Sequence, residues 1–259
     1  MTLDLDGRTI ETAWWGPPPG QAPTLVLLHE GLGCVALWRG FPEQLAAATG
    51  CGVFAYSRFG YGQSAPATLP RPLTYMHDEA EHVLPRILDA AGIRRAVLVG
   101  HSDGASIAAL YAGSRQDFRI AGLVLIAPHF FVEDVSIASI EAARIAYRDT
   151  DLRARLGRYH ADPDNAFRGW NDAWLDPAFR SWRIDEPIPF IRVPVLLVQG
   201  ADDEYGTLAQ LDLMRDEAYC PVETLVVEGA GHSPHLDAGE RVATAIHSFV
   251  RRLDLQHNA

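Results

Sequence analysis

Three short stretches of this chain carry residue types that do nucleophilic chemistry together. Gly100-His101-Ser102-Asp103-Gly104 reads G-x-S-x-G. A serine hydroxyl is a poor nucleophile near neutral pH and needs a base beside it. Gly229-Ala230-Gly231-His232-Ser233 offers an imidazole on a glycine-rich loop late in the chain. His235 competes for that role; its place at the start of the last helix suits a supporting or surface residue better. The base must in turn be held in one tautomer by an acid. Gln199-Gly200-Ala201-Asp202-Asp203-Glu204 supplies candidates, with Asp203 preferred, Asp202 the alternative and Glu204 the weakest. The order Ser102, Asp203, His232 is nucleophile, acid, base, the order that accompanies G-x-S-x-G on a strand-turn-helix element.

Such chemistry also needs donors for a developing oxyanion. The N–H of Asp103, directly after the serine, is one. The other is expected from His29-Glu30-Gly31-Leu32-Gly33, with Gly31 chosen over Glu30. His29-Glu30 does not begin a zinc-protease H-E-x-x-H, because Gly33 stands where the second histidine belongs.

G-x-S-x-G alone is a weak signal, and Ser102 could equally cap a helix. The surrounding elements give it weight. Ala96 to Val99 (AVLV) is a short apolar run, and Ala105 to Tyr111 is a helix of mostly small residues, so the serine falls on the turn between strand and helix. Other strand signals are Thr9 to Trp15, Thr24 to Leu28, Gly52 to Tyr56, Leu123 to Ala127, Val195 to Val198 and Thr224 to Val227. Continuous apolar runs of this length suit strands buried on both faces. Helical patterns lie between them at Phe41 to Thr49, Thr74 to Ala91 with a kink at Pro85, Leu208 to Glu217 and Glu240 to Leu253. Alternating strands and helices predict an α/β fold, a mostly parallel sheet covered on both faces.

The alternation stops between His129 and Phe190. That stretch has no buried-strand run and holds Trp170, Trp174 and Trp182. It predicts a helical cap, 129–190, inserted into a core formed by 1–128 and 191–259. Trp170 and Trp174 are candidates to wall an apolar pocket, although tryptophans also simply glue helices together.

The 259 residues suffice for one such domain with an insertion. The net charge of −11 argues against nucleic acid or an anionic membrane as partner. Cys34, Cys51 and Cys220 are odd in number and lack metal-site spacing, so a reducing compartment is expected. The N-terminal stretch MTLDLDGRTIE has no signal-peptide pattern, and no apolar run reaches membrane-spanning length. The expectation is a cytoplasmic protein with a small-molecule substrate, no cofactor and no metal. Nothing in the pattern sets an oligomeric state.

In their order, LLHEGLG, YSRFGYGQS, GHSDG, QGADDEYG and GAGHS resemble the α/β-hydrolase superfamily from Leu27 to the last helix. The resemblance implies the α/β-hydrolase fold, an eight-stranded sheet with a cap after strand six. It implies a triad of Ser102, Asp203 and His232 and an oxyanion hole at Gly31 and Asp103. Two positions depart from the family pattern. Glu30 replaces the glycine usual after the histidine, and Asp103 stands where relatives carry Met, Gln or an aromatic residue. Members that open epoxides or remove halides carry aspartate at the position of Ser102, which argues against those activities. The expected reaction is cleavage of a small-molecule ester through an acyl-enzyme. Carbon–carbon bond hydrolysis on the same triad is the runner-up, with proline aminopeptidase and perhydrolase chemistry behind it. A small-molecule receptor with weak or no turnover is the alternative from another class.

Overall fold

The computed structural model describes residues 1–253. In chain order it contains β1 (Thr2–Leu5), β2 (Arg8–Trp15), β3 (Thr24–Leu28), α1 (Phe41–Thr49), β4 (Gly52–Tyr56), α2 (Tyr75–Asp78), α3 (Leu84–Ala90), β5 (Ala96–His101) and α4 (Asp103–Ser114). There follow β6 (Ile120–Ile126), α5 (Asp134–Asp149), α6 (Leu152–Leu156), α7 (Pro163–Trp174), β7 (Val195–Gly200), α8 (Ala209–Glu217), β8 (Val222–Val227), α9 (Pro234–Asp237) and α10 (Gly239–Arg252).

The strands form one eight-stranded sheet in the order β1-β2-β4-β3-β5-β6-β7-β8. β3 to β8 run parallel, and β2 and β1 are antiparallel at one edge. The apolar runs are explained by two cores, one on each face. Leu25, Leu27, Val97 and Val99 point toward one layer and pack with Phe41 and Leu45 of α1 and Ile246 and Phe249 of α10. Val26, Leu28 and Leu98 point the other way, toward Leu84 and Ile87 of α3 and Ile107 of α4. Because side chains alternate along a strand, a strand covered on both faces must be apolar at every position.

Chain order reverses between β3 and β5. β4 lies on one side of β3, and β5 to β8 spread away on the other. In open α/β sheets this switch point opens a crevice at the carboxyl ends of the strands.

Two elements differ from the sequence expectation. β1 carries no strong apolar run. It pairs with β2 through Asp6-Gly7, both at positive φ (55° and 76°), which is the Asp-Gly hairpin signal. The helix expected over Thr74 to Ala91 is α2 and α3 joined by a π turn at Glu79–Val83. Pro85 removes one N–H and crowds the carbonyl four residues before it, and the wider turn accommodates both. That carbonyl, Glu81 O, accepts a hydrogen bond from Arg115 instead.

The stretch between β6 and β7 is helical, with α5, α6 and α7 and one isolated bridge, Phe131 to Arg183. It is tied to the loops after β3 and β4. His160 accepts from the Gly62 N–H at 2.9 Å and its other ring nitrogen meets Leu32 O at 3.0 Å. Asn165 exchanges hydrogen bonds with Ala67 in both directions, each 2.9 Å. No helix among the described residues is long and apolar enough to cross a membrane.

Candidate active site

Five loops at the carboxyl ends of parallel strands meet around one cavity. They follow β3, β5, β6, β7 and β8.

Ser102 stands between β5 and α4 with φ 54° and ψ −120°. A non-glycine residue held there stores on the order of 1–3 kcal/mol of strain. The neighbouring glycines make the turn sterically feasible. A Cβ on Gly100 would lie 2.3 Å from Gly104 O, and one on Gly104 would lie 2.0 Å from Leu28 O. The turn is fastened to the sheet by Ser102 N–H donating to Ile126 O at 2.9 Å. Ser102 does not use its side chain as a helix cap.

His232 follows β8 on the glycine loop. Its Nδ1 lies 2.9 and 3.0 Å from the two carboxylate oxygens of Asp203. That leaves Nε2 as the other ring nitrogen for proton transfer, with Nδ1–H donating to the carboxylate. Asp203 also accepts from Gln199 Nε2 at 2.6 Å and from the N–H groups of Tyr205 and Gly206 at 2.8 and 3.2 Å. Burial pushes its carboxyl up. The hydrogen bonds from His232 and the Tyr205 N–H outweigh burial and hold it below the usual carboxylate range. Asp202, the alternative acid, is exposed. Glu204 accepts from the His232 backbone N–H at 3.1 Å, so it steadies the loop without touching the ring.

Gly31 and Asp103 lie on the wall of the same cavity as Ser102 and His232. Their N–H groups have no acceptor among the described residues. Asp103 opens α4, where unpaired N–H groups and the helix dipole favour negative charge. Gly31 has to be glycine, because a Cβ there would lie 2.2 Å from Nε1 of Trp170.

Trp170 and Trp174, both on α7, line the cavity together with Ile140 of α5. Trp182 packs against Trp174 and Phe179 and is not on its wall. The cavity measures about 100 Å³. A larger groove of about 490 Å³ lies beside Arg115, Phe118 and Arg192 and contains none of these residues.

The side chains at the two departures from the family pattern are fixed. Asp103 is fully buried and accepts from Tyr75 OH at 2.6 Å and from Trp174 Nε1 at 3.2 Å. Burial raises its pKa against the pull of Arg58 and of these two donors. Glu30 lies over Gly33, where a Cβ would lie 2.2 Å from its Oε2, and that oxygen is 3.5 Å from His101 Nδ1.

Several contributors escape sequence reasoning. His129 lines the cavity with its ring 5.6 Å from that of His232. Burial first, and the charge of nearby His232 second, lower its pKa to about 3. Its place just past β6, at the carboxyl edge of the sheet, is the signal that could have drawn attention. Tyr205 lies against the His232 ring at 4.7 Å. Arg58 and Tyr75 reach the site from loops and helices distant in sequence. His235 is not a surface residue. It is buried at the start of α9, 4.6 Å from His101 and 5.1 Å from Trp38 between ring centres.

A model of the alpha/beta hydrolase family matches residues 25–245. The chain is 25% identical over 274 residues to monoglyceride lipase of Homo sapiens, covering 95% of this chain and 87% of that one. It is 33% identical over 130 residues to epoxide hydrolase B of Mycobacterium tuberculosis, covering 49% of this chain and 35% of that one. Among solved structures it is similar to MGS-M2, an alpha/beta hydrolase enzyme from a Medee basin deep-sea metagenome library. There the TM-score is 0.77 at 16% identity, with 100% of both chains covered, a likeness of fold.

Proposed function

Because the chain belongs to the alpha/beta hydrolase family, we propose that it is a serine hydrolase cleaving a small-molecule ester through an acyl-enzyme. One observation carries the reading. A histidine hydrogen-bonded to a buried carboxylate and a serine on a strained positive-φ turn face the same cavity.

The steps follow from the groups present. His232 Nε2 takes the proton of Ser102 Oγ as Oγ bonds to the ester carbonyl carbon. The carbonyl oxygen becomes an oxyanion and accepts from the N–H groups of Gly31 and Asp103. His232 then gives its proton to the departing alkoxide, and the acyl group remains on Ser102. Water, deprotonated by His232, bonds to the acyl carbon; the bond from that carbon to Ser102 Oγ then breaks, Oγ takes the proton back from His232, and the carboxylic acid leaves. Asp203 keeps Nδ1–H in place and stabilises the imidazolium in each step.

Residues 129–190 act as a cap that selects substrate. Ile140, Trp170 and Trp174 would face the acyl group, and a cavity of about 100 Å³ suits a short one. Likeness to an epoxide hydrolase extends over half the chain, but a hydroxyl at position 102 favours acyl transfer over epoxide opening. An odd number of cysteines without metal-site spacing supports a reducing, cytoplasmic setting.

A fluorophosphonate probe and a panel of p-nitrophenyl esters from acetate to octanoate test the reading. The expected result is one adduct on Ser102 and turnover that favours short acyl chains. Labelling that persists in Ser102→Ala would overturn the nucleophile. Binding of esters without turnover would make the protein a receptor. Cleavage of vinylogous diketones but not esters would reassign it to carbon–carbon bonds.

A further inference from the structure

Arg58, from the loop after β4, is fully buried, yet no step above uses it. Its guanidinium donates to His29 O and, through NH2, to Glu30 O at 2.9 Å. The backbone N–H of Arg58 donates to His29 Nε2 at 3.0 Å. Glu30 C=O and Gly31 N–H belong to one planar trans peptide, so they point in opposite directions. Three donors hold that oxygen from behind, His29 Nδ1–H at 2.7 Å, Arg58 NH2 at 2.9 Å and the Gly33 N–H at 3.1 Å, and together they aim the Gly31 N–H forward, into the cavity that Ser102 lines; of the three, Arg58 alone brings a full positive charge. The same charge-assisted bond draws electron density from the peptide and makes that N–H a stronger donor.

The second oxyanion donor is linked to the same cation. Arg58 NH2 lies 3.9 Å from Asp103 Oδ2, with both side chains buried. Left alone, a carboxylate on the residue that donates to the oxyanion would repel it. Arg58 balances that charge, and Tyr75 and Trp174 hold the carboxylate in place.

We propose that Arg58 is a positioning residue for the oxyanion hole. It orients and polarises the Glu30–Gly31 peptide, and the Asp103 carboxylate anchors it. The inference rests on the serine-hydrolase reading, and it gives the buried Asp103 carboxylate a role.

The test compares wild type, Arg58→Lys and Arg58→Gln, each normalised to Ser102 sites titrated with fluorophosphonate. Lysine keeps the buried positive charge and loses only the planar fork, so it guards against loss of folding in the glutamine variant. Per-site kcat on p-nitrophenyl acetate should fall about 10²-fold in Arg58→Lys with KM nearly unchanged, because oxyanion donors act in the transition state. Inhibition by a short alkylboronic acid should weaken by the same factor. The pH midpoint of kcat/KM should stay at its wild-type value, since His232 and Asp203 are untouched. Per-site kcat and boronate affinity within twofold of wild type in a folded variant would overturn the proposal. So would a kcat loss accompanied by a moved pH midpoint, which would place Arg58 behind the triad. If wild-type enzyme neither labels at Ser102 nor turns over esters, the serine-hydrolase reading falls and this inference with it.

Discussion

The sheet and the helical stretch between β6 and β7 contribute to the same cavity in different ways. From the sheet come Ser102, Asp203 and His232, each on a loop directly after a strand, with backbone approaches so close that Gly100, Gly104 and Gly200 admit no Cβ. From α5 and α7 come Ile140, Trp170 and Trp174, large side chains that reach the cavity across space. Strand ends in a packed sheet hold a backbone position rigidly. Helices resting on loops can change their side chains and leave that backbone alone. The contrast teaches that reaction geometry is built from main chain and pocket shape from side chains. Substitutions in the two regions should therefore fail differently.

The largest effect is expected at the strand ends. Ser102→Ala should lower kcat on p-nitrophenyl acetate by about 10⁶-fold without loss of folding, because in the proposed mechanism Ser102, His232 and Asp203 act as a unit. Urea unfolding should report stability close to that of wild type, since alanine keeps the same positive-φ backbone and the Ser102 side chain makes no cap hydrogen bond. Turnover within tenfold of wild type would remove the distinction between the regions at its root.

Next in size is the acid. Asp203→Asn should cost about 10⁴-fold in kcat, because an amide cannot hold His232 in the productive tautomer. Asp202→Asn, on an exposed side chain one residue away, should leave kcat within a few-fold. Steady-state kinetics on the two purified variants decide it, and the reverse ranking would reassign the acid.

The overlying helices should show a smaller and qualitatively different effect. Trp170→Ala and Trp174→Ala should shift the ratio of kcat/KM for butyrate over acetate esters by about 10–100-fold, the range of 1–3 kcal/mol per methylene-scale change in an apolar pocket. Ser102 should still label in both. Trp174→Ala also frees a hydrogen bond to Asp103, so it should lower kcat as well, whereas Trp170→Ala should act on preference alone. An unchanged preference across the whole ester series would make these tryptophans structural glue.

The same contrast decides what could be read from the sequence. Thr24–Leu28 and Gly52–Tyr56 appear in the structure with the expected limits, because a strand buried on both faces is apolar at every position and ends where the apolar run ends. The turn at Ser102 and the loops that carry Asp203 and His232 stand where the sequence placed them, after β5, β7 and β8, because each adjoins a strand in sequence. β1 was missed because an edge strand needs no such run, although Asp6-Gly7 marked its turn. Between 129 and 190 the sequence conveyed helix content but not contacts. His160 meets Gly62 and Leu32, and Trp174 meets Tyr75 and Asp103, across separations of 71 to 128 residues. Arg58 stands in YSRFGYGQS, one of the stretches that carry the resemblance, but its role was illegible in the same way, because its partners at His29, Glu30 and Asp103 are known only from the fold.

The smallest expected effect concerns His129, where the sheet gives way to the helical stretch. Its ring is buried, packs edge-on against Trp174 at 5.1 Å and leaves Nδ1 without a partner among the described residues. Burial, followed by the nearby His232, lowers its pKa to about 3, whereas an unfolded histidine titrates near ~6.5. Between those values the unfolded chain binds a proton that the folded chain refuses. The contribution of His129 to stability is therefore complete above pH ~6.5 and is lost progressively as the pH falls toward about 3. His29 and His235 are held low by burial as well, so the whole protein should lose stability with acidification through this window. His129→Phe keeps a ring against Trp174 and removes the titration. Urea unfolding at a series of pH values from 7 to 4 should give a shallower fall for the variant, by up to ~1.4 kcal/mol per pH unit, the linkage value of one proton. A variant whose stability falls as steeply as that of wild type would mean that His129 takes up its proton in the folded protein. The junction would then be open to water, and the two regions would be less firmly joined than the buried ring implies.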